Sequence, residues 1–325
     1  MKSYPRYVMA AAAALALTLG LPACSSTPSS DNSGSATATP KYALVLKTLT
    51  SEFWQNMKSG AEAEAQAKGV QLDVYAGQSE DDVEGQVTLL QNAIGKGYQA
   101  IGVAPISPVN MNNAVAQATK AGIYIVNVDE KFDMDNLKSL GGAAQAFITT
   151  DNVNVGQMAG NYIVQTLGSG SLSVAIIEGK AGDQSGTDRK TGASQAFTNA
   201  GYNIVASQPA DWDATKAYNL AQSYISKYPD LKAIYCANDT MAMGAEKAVE
   251  DAGASVMVVG TDGNSDAVDS VQAGNLGATV KQDSTAIGAK AVDIMIDLVT
   301  KAAAIDINAE PDVDYVPAVL VTKQS

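Results

Sequence analysis

Residues 123–133 read IYIVNVDEKFD: alternating β-branched side chains, the pattern of a strand, run straight into Asp129, Glu130, Lys131 and Asp133. Residues 256–266, VMVVGTDGNSD, repeat the arrangement with Asp262 at the end of the apolar run. Strands that end in charge fit an open parallel sheet, because ligands there bind beyond the carboxyl ends of the strands, where side chains leave the core and loops diverge. The reading of these two stretches therefore turns on whether the rest of the chain builds such sheets.

It does so twice. From Lys41 onward, strands over 42–49, 70–75, 100–104 and 123–128 alternate with helical patterns over 53–68, 81–95 and 109–121, the rhythm of βαβ units. The first helix shows an inward face of Phe53, Met57, Ala61 and Ala65, and Gly69 stands where a C′ glycine ends a helix. The rhythm restarts with strands over 173–178, 203–206, 233–236 and 256–260 and helices over 189–200, 212–228 and 239–252. A last long helix, 284–301, precedes a strand-like tail from Tyr315 to Val321. No residue-level repeat relates the halves, but a chain of 325 residues with 46% hydrophobic composition suits two domains of ordinary size. The expected fold is α/β, two doubly wound parallel-sheet lobes.

Composition removes much chemistry. The chain has 21 basic against 34 acidic residues, a formal charge of −13, which repels phosphate backbones, so no nucleic-acid partner is expected. It has no histidine, which excludes Ser-His-Asp and Cys-His catalysis and His-ligated zinc. No cofactor and no metal are expected. The absence of G-x-x-x-x-G-K-[ST] places any ATP hydrolysis on another subunit.

The N-terminus reads as an export signal, residues 1–23, with Lys2 and Arg6 before an apolar run from Val8 to Leu21 that is too short for a bilayer needing about 20 residues. Leu21-Pro22-Ala23-Cys24 resembles a lipobox, with Pro22 unusual in it, and makes Cys24 the expected lipidation site. Residues 24–40, rich in Ser, Thr, Pro and Ala, read as a flexible tether. Cys236, in YCAN, is then left without a partner and reads as a small buried hydrophobe.

Other strand ends add polar groups to Asp129 and Asp262: Lys47 after ALVL, Asn238 and Asp239 after AIYCA, Gln282 after ATVK. Together they suit a neutral polyhydroxylated molecule, whose hydroxyls donate to carboxylates and accept from amide, ammonium or guanidinium groups. An Asp after a strand also serves as an N-cap or Asx-turn; for Asp129 and Asp262 both readings stay open, and for Asp239 the cap is preferred. Asn238 by itself reads equally as a turn stabiliser. The only two tryptophans, Trp54 in TSEFWQN and Trp212 in PADWDAT, sit among polar neighbours at helix starts, which favours stacking on a ligand over core packing. Arg189, in SGTDRKTG, reads as a helix-opening residue; alone it would be a solvated charge, and beside a sugar its fork bonds two adjacent hydroxyls.

These residues carry a resemblance. Over residues 41–323 the chain resembles the sugar-binding proteins of bacterial ABC importers of the ribose-binding class, most closely the D-allose-binding members, through LVLKTL with FW, GIYIVNVDEKFDMDNL, TTDNV, AIIEGKAG, SQPADWD, AIYCANDTMAMG, VVGTDG and IGAK. The resemblance implies a periplasmic binding protein of type I: lobes of 41–150 plus 283–308 and 151–282 plus 309–325, a three-segment hinge, and a monosaccharide held between them. Family sugar contacts fall here on Lys47, Phe53, Trp54, Asp129, Arg189, Trp212, Asn238, Asp262 and Gln282. Lys47 and Glu130 stand where ribose binders have Ser and Arg, an allose-like pair expected to approach each other and set specificity together. Glu52 stands where the relatives tend to have Pro. The implied protein is a monomeric, exported, lipid-anchored receptor for ABC permease subunits and no enzyme. Alternatives from the residues are a receptor presenting sugar to a chemoreceptor or sensor kinase, and a glycosidase using Asp129 and Asp262. A sugar-sensing transcription regulator would need a basic helix-turn-helix where the export signal stands.

Overall fold

The computed structural model describes residues 40–323; the export signal, Cys24 and nearly all of the expected tether lie outside the described residues. Strand β1 (Lys41–Leu46) shows why the chain folds in layers. Its period of two sends Tyr42, Leu44 and Leu46 to one face of a sheet and Ala43 and Val45 to the other, and all five are fully buried or nearly so. A strand apolar on both faces needs a helix layer on each.

The first lobe supplies them. Around β1 lie α1 (Glu52–Lys68), β2 (Gln71–Ala76), α2 (Val83–Ile94), β3 (Ala100–Val103), α3 (Asn112–Lys120), β4 (Tyr124–Val128), α4 (Met134–Ser139) and β5 (Ala146–Thr149). The second lobe follows: α5 (Asn152–Leu167), β6 (Ser173–Glu178), α6 (Gln184–Asn199), β7 (Asn203–Pro209), α7 (Ala214–Lys227), β8 (Leu231–Cys236), α8 (Asp239–Asp251), β9 (Met257–Asp262), α9 (Ser265–Ala273) and β10 (Ala278–Lys281). Then come α10 (Ser284–Thr300), β11 (Asp312–Tyr315) and β12 (Val319–Thr322).

The sheets are ordered β11-β5-β4-β3-β1-β2 and β12-β10-β9-β8-β6-β7. Every pairing is parallel except β10 with β12. The orders match position for position, so the halves share a topology that their residues do not advertise. Each reverses strand order beside its first strand, between β1 and β3 and between β6 and β8, the place where open α/β sheets form ligand crevices.

Helix pairing follows the same symmetry. α10, entered from the second sheet, packs on α1 of the first lobe, and α5, entered from the first sheet, packs on α6 of the second. Both pairs cross where glycines let backbones touch: a Cβ on Gly288 would stand 2.0 Å from the Met57 carbonyl oxygen, and one on Gly156 1.9 Å from that of Arg189.

The chain passes between sheets after β5, after β10 and after β11. The last passage corrects the expected boundary at 308/309. β11 pairs with β5 in the first sheet, so residues 312–315 belong with the first lobe and only β12 returns to the second. The single tail strand expected from Tyr315 to Val321 is two short strands, one in each sheet. α6 also begins at Gln184 rather than at Arg189, which places Arg189 in its second turn. Elements α4, β5, α5, α9 and β10 join those read from periodicity. Among the described residues no helix is long and apolar enough to cross a membrane.

Candidate functional site

The carboxyl ends of both sheets face a cavity of about 430 Å³, within the usual range for small-molecule sites. Nine of the sequence-derived candidates line it: Lys47 after β1, Phe53 and Trp54 in the first turn of α1, Asp129 after β4, Arg189 in α6, Trp212 before α7, Asn238 at the N-cap of α8, Asp262 at the end of β9 and Gln282 after β10. Strand ends in a doubly wound sheet converge, so residues far apart in sequence meet here.

Three of these residues hold backbone conformations that side chains disfavour: Asp129 has φ 63°, Trp212 φ 63° and Asp262 φ 121°. Such geometry costs on the order of 1–3 kcal/mol each and persists only where the surroundings impose it. At Asp129 the backbone N–H donates to the Ile148 carbonyl at 2.8 Å, and its carbonyl accepts from Thr149 Oγ1 at 2.8 Å. At Asp262 the clamp is Asp239. This fully buried carboxylate accepts from the N–H groups of Gly263 (2.7 Å) and Asn264 (2.9 Å) and from Thr279 Oγ1 (2.8 Å). The cap reading of Asp239 is thus corrected: Asn238 caps α8, its Oδ1 accepting from the Met241 N–H at 2.9 Å, and Asp239 fixes the turn that aims Asp262.

The aromatic walls are anchored by their polar edges. Trp54 Nε1 donates to Glu80 Oε1 at 2.7 Å and its ring meets Phe53 edge-on at 5.0 Å. Trp212 Nε1 donates to Asp183 Oδ2 at 2.9 Å. Each indole also faces a cation, Lys47 Nζ at 5.8 Å from Trp54 and the Arg189 guanidinium carbon at 5.8 Å from Trp212. Both tryptophans pack on a lobe core with one face while lining the cavity, so core packing and cavity lining coexist.

The charges are internally matched. Arg189 donates from Nε to Asn152 Oδ1 (2.8 Å) and from Nη1 to the Ala237 carbonyl (2.7 Å) and Asp262 Oδ1 (3.4 Å). Lys47 Nζ pairs with Asp183 Oδ2 at 3.5 Å, both side chains 3% exposed. Burial pulls the Lys47 ammonium down, but Asp183, Glu80, Glu130 and Asp129 together hold it above the ordinary lysine range. Burial raises Asp129 to about 6, against the pull of Lys47 and Arg189. It also raises Asp262 to about 6, with Arg189 and the Gln282 amide acting the other way.

Glu130 is the candidate that the structure keeps out of the cavity. Fully buried, it accepts from the Gln184 N–H (2.6 Å), the Ser185 N–H (3.3 Å) and Ser185 Oγ (3.0 Å) of the other lobe, and burial raises it to about 7. Lys47 and Glu130 act on each other's charge, as expected, but the ion pair of Lys47 is with Asp183, while Glu130 meets the positive end of α6. Glu80 and Asp183 are the site groups that sequence reasoning missed. Glu80 sits in GQSEDD, which has the composition of a solvated loop, and Asp183 in AGDQSG, which reads as a turn.

Two acceptors in the site lack donors. Gln282 Nε2 donates to Asp262 Oδ1 at 2.7 Å, while its buried Oε1 has no partner among the described residues. Nothing among the described residues donates to the Asp129 carboxylate. Among the described residues nothing accepts from Asn238 Nδ2 or Arg189 Nη2, which are left as donors. Among the described residues no cluster of acidic or thiol side chains has the makings of a metal site.

Comparison with known proteins agrees with this architecture. The model of the periplasmic binding protein domain matches residues 42–303. The chain is 48% identical over 294 residues to the D-allose-binding periplasmic protein of Escherichia coli K12, covering 90% of this chain and 94% of that one. It is 35% identical to the ribose import binding protein of the same organism over 80% of this chain and 85% of that one. Among solved structures, an ABC transporter periplasmic solute binding protein from Actinobacillus succinogenes 130z with bound D-allose superposes with a TM-score of 0.81 at 34% identity, covering 88% of this chain and 98% of that one. These relatives are binding proteins and not enzymes, and with the family model matching most of its length, this chain belongs to the periplasmic binding protein family.

Proposed function

We propose that this protein is the sugar receptor of an ABC importer and that its cavity closes on one neutral monosaccharide, D-allose in first place, with ribose or another hexose as alternatives. The observation that carries the reading is the unpartnered Gln282 Oε1, buried at 3% residue exposure in a residue lining the same cavity as the donor-free carboxylate of Asp129. Buried acceptors cost about 1–3 kcal/mol each when left unmet, so a ligand that donates to both recovers that cost. Hydroxyls donate and also accept from Asn238 Nδ2 and Arg189 Nη2. The ligand is neutral because Lys47 and Arg189 already have their counter-charges in Asp183 and Asp262. The flat faces of Trp54 and Trp212 suit the C–H faces of a sugar ring. The binding of D-allose by relatives of such high identity supports the choice of sugar.

In this reading the three inter-sheet passages act as hinges, Cys24 is lipidated at the outer face of the cytoplasmic membrane, and the monomeric, closed receptor docks on a permease. Hinge closure around ligands is the general behaviour of periplasmic binding proteins. Presentation of the sugar to a chemoreceptor or sensor kinase is the alternative use of the same closed shape. Calorimetric titration of the purified protein with a panel of aldopentoses and aldohexoses tests the proposal: one-to-one saturable heat with D-allose, and weaker heat with its epimers, is expected. A panel that produces no heat overturns it.

A further inference from the structure

We propose that Glu52 and Glu130 are helix caps acting from one lobe on the other, and that these two carboxylates set the balance between open and closed states. The inference rests on the closure described above. In the second lobe α5, α7 and α8 are capped by their own chain: Asp151 accepts from the Asn154 N–H, Asp213 from that of Lys216 and Asn238 from that of Met241. α6 and α9 differ. Asp183 and Asn264 occupy their N-cap positions, and neither side chain accepts from its own helix.

The missing acceptors come from the first lobe. Glu130 accepts from both the Gln184 and the Ser185 N–H at the start of α6, and Glu52 Oε2 accepts from the Ser265 N–H (2.9 Å) and Ser265 Oγ (2.7 Å) at the start of α9. Asp183, which would ordinarily cap α6, is instead bonded to Lys47 and Trp212 in the cavity wall. Its diversion into the site leaves α6 dependent on Glu130. A carboxylate at a helix N-terminus satisfies N–H groups that otherwise have no partner and meets the positive end of the helix dipole. Both bonds span the lobes, so both exist only while the lobes are closed.

A contact made only in the closed state adds to the affinity of any ligand that binds that state, without touching the ligand. Cap removal elsewhere changes an equilibrium by roughly 2- to 30-fold. Glu130, sealed from solvent, belongs toward the upper end, and Glu52, half-buried among the cavity-lining residues, toward the lower. Lys180 makes a further bridge, donating to the Glu80 carbonyl at 2.9 Å and pairing with Asp81, but it caps no helix.

The test uses Glu52→Ala, Glu130→Ala and the conservative Glu52→Gln and Glu130→Gln, each confirmed as folded by circular dichroism. The expected result has three parts. Both alanine variants bind D-allose about 2- to 30-fold more weakly through faster dissociation, with the ratio of D-allose to D-ribose affinity unchanged. Their ligand-free small-angle scattering shifts toward the more extended shape, and the glutamine variants recover part of both effects. Folded alanine variants that match the parent in affinity and in scattering overturn the proposal, as does a changed sugar ratio, which would mean direct sugar contact. Should Glu130→Ala fail to fold, Glu52→Ala decides the outcome by itself. Scattering that shifts as expected in a protein that binds no sugar supports the caps and refutes the ligand instead.

Discussion

Gly179 lies so close beneath Trp212 that a Cβ on the glycine would stand 2.0 Å from the indole Cη2. The ring is pinned from below by this glycine, at its edge by the Asp183 carboxylate and by a positive-φ backbone at its own Cα. Gly179→Ala therefore displaces the indole. We expect a folded protein with sugar affinity lowered about 2- to 13-fold, the worth of one aromatic contact, and a smaller ligand-induced change in tryptophan fluorescence. An alanine variant that binds as the parent does would show that Trp212 is not a wall of the binding site.

Gln282 has one amide group and two tasks. It donates to Asp262, and in the proposed complex its unpartnered oxygen accepts from the sugar. Gln282→Leu keeps much of the volume and removes both, leaving a ligand hydroxyl unpaired, and calorimetry is expected to show affinity falling about 5- to 150-fold with stability changed far less. Loss of stability in proportion to affinity would argue for a purely structural glutamine.

The pH dependence of binding follows from Asp129 and Asp262. In the ligand-free site burial raises both to about 6, so each is increasingly protonated as pH falls below that value. A sugar hydroxyl donates more strongly to the ionised form and so favours it, which gives the bound state the lower pKa and makes binding release protons. In Glu130→Gln, which removes the separate titration of Glu130 near 7, affinity is expected to be level from pH 8 down to about 7 and to weaken as pH passes below about 6. Titrations in buffers of different ionisation enthalpy at pH 6 should register the released protons. A level affinity from pH 8 to pH 5 would contradict this.

What could be read from residues was whatever depends on short-range pattern. The strand ends at Asp129 and Asp262 and the glycine stop at Gly69 are local signals, and the structure puts the first two at the cavity and the third at the end of α1. Trp54 and Trp212, read from their polar setting as ligand platforms, line the cavity and also pack on the lobe cores. What could not be read depends on the other lobe. Residues Gln184 to Asp188 look like a loop, yet they form the start of α6, where Glu130 meets the N–H groups of Gln184 and Ser185 from across the cleft. The ion-pair partner of Lys47 is Asp183, at the N-cap of α6 in the other lobe, which no local pattern identifies. β11 and β12 are each four residues long, too short for periodicity to assign to either sheet. Glu80 is identified only by the indole that points at it.

A crystal structure of the protein grown with D-allose decides whether the groove between the two sheets encloses a neutral sugar. One pyranose is expected between Trp54 and Trp212, with hydroxyls donating to Asp129 and Gln282 Oε1 and accepting from Arg189 and Asn238. Sugar bound at another surface, with these side chains unliganded, would contradict it.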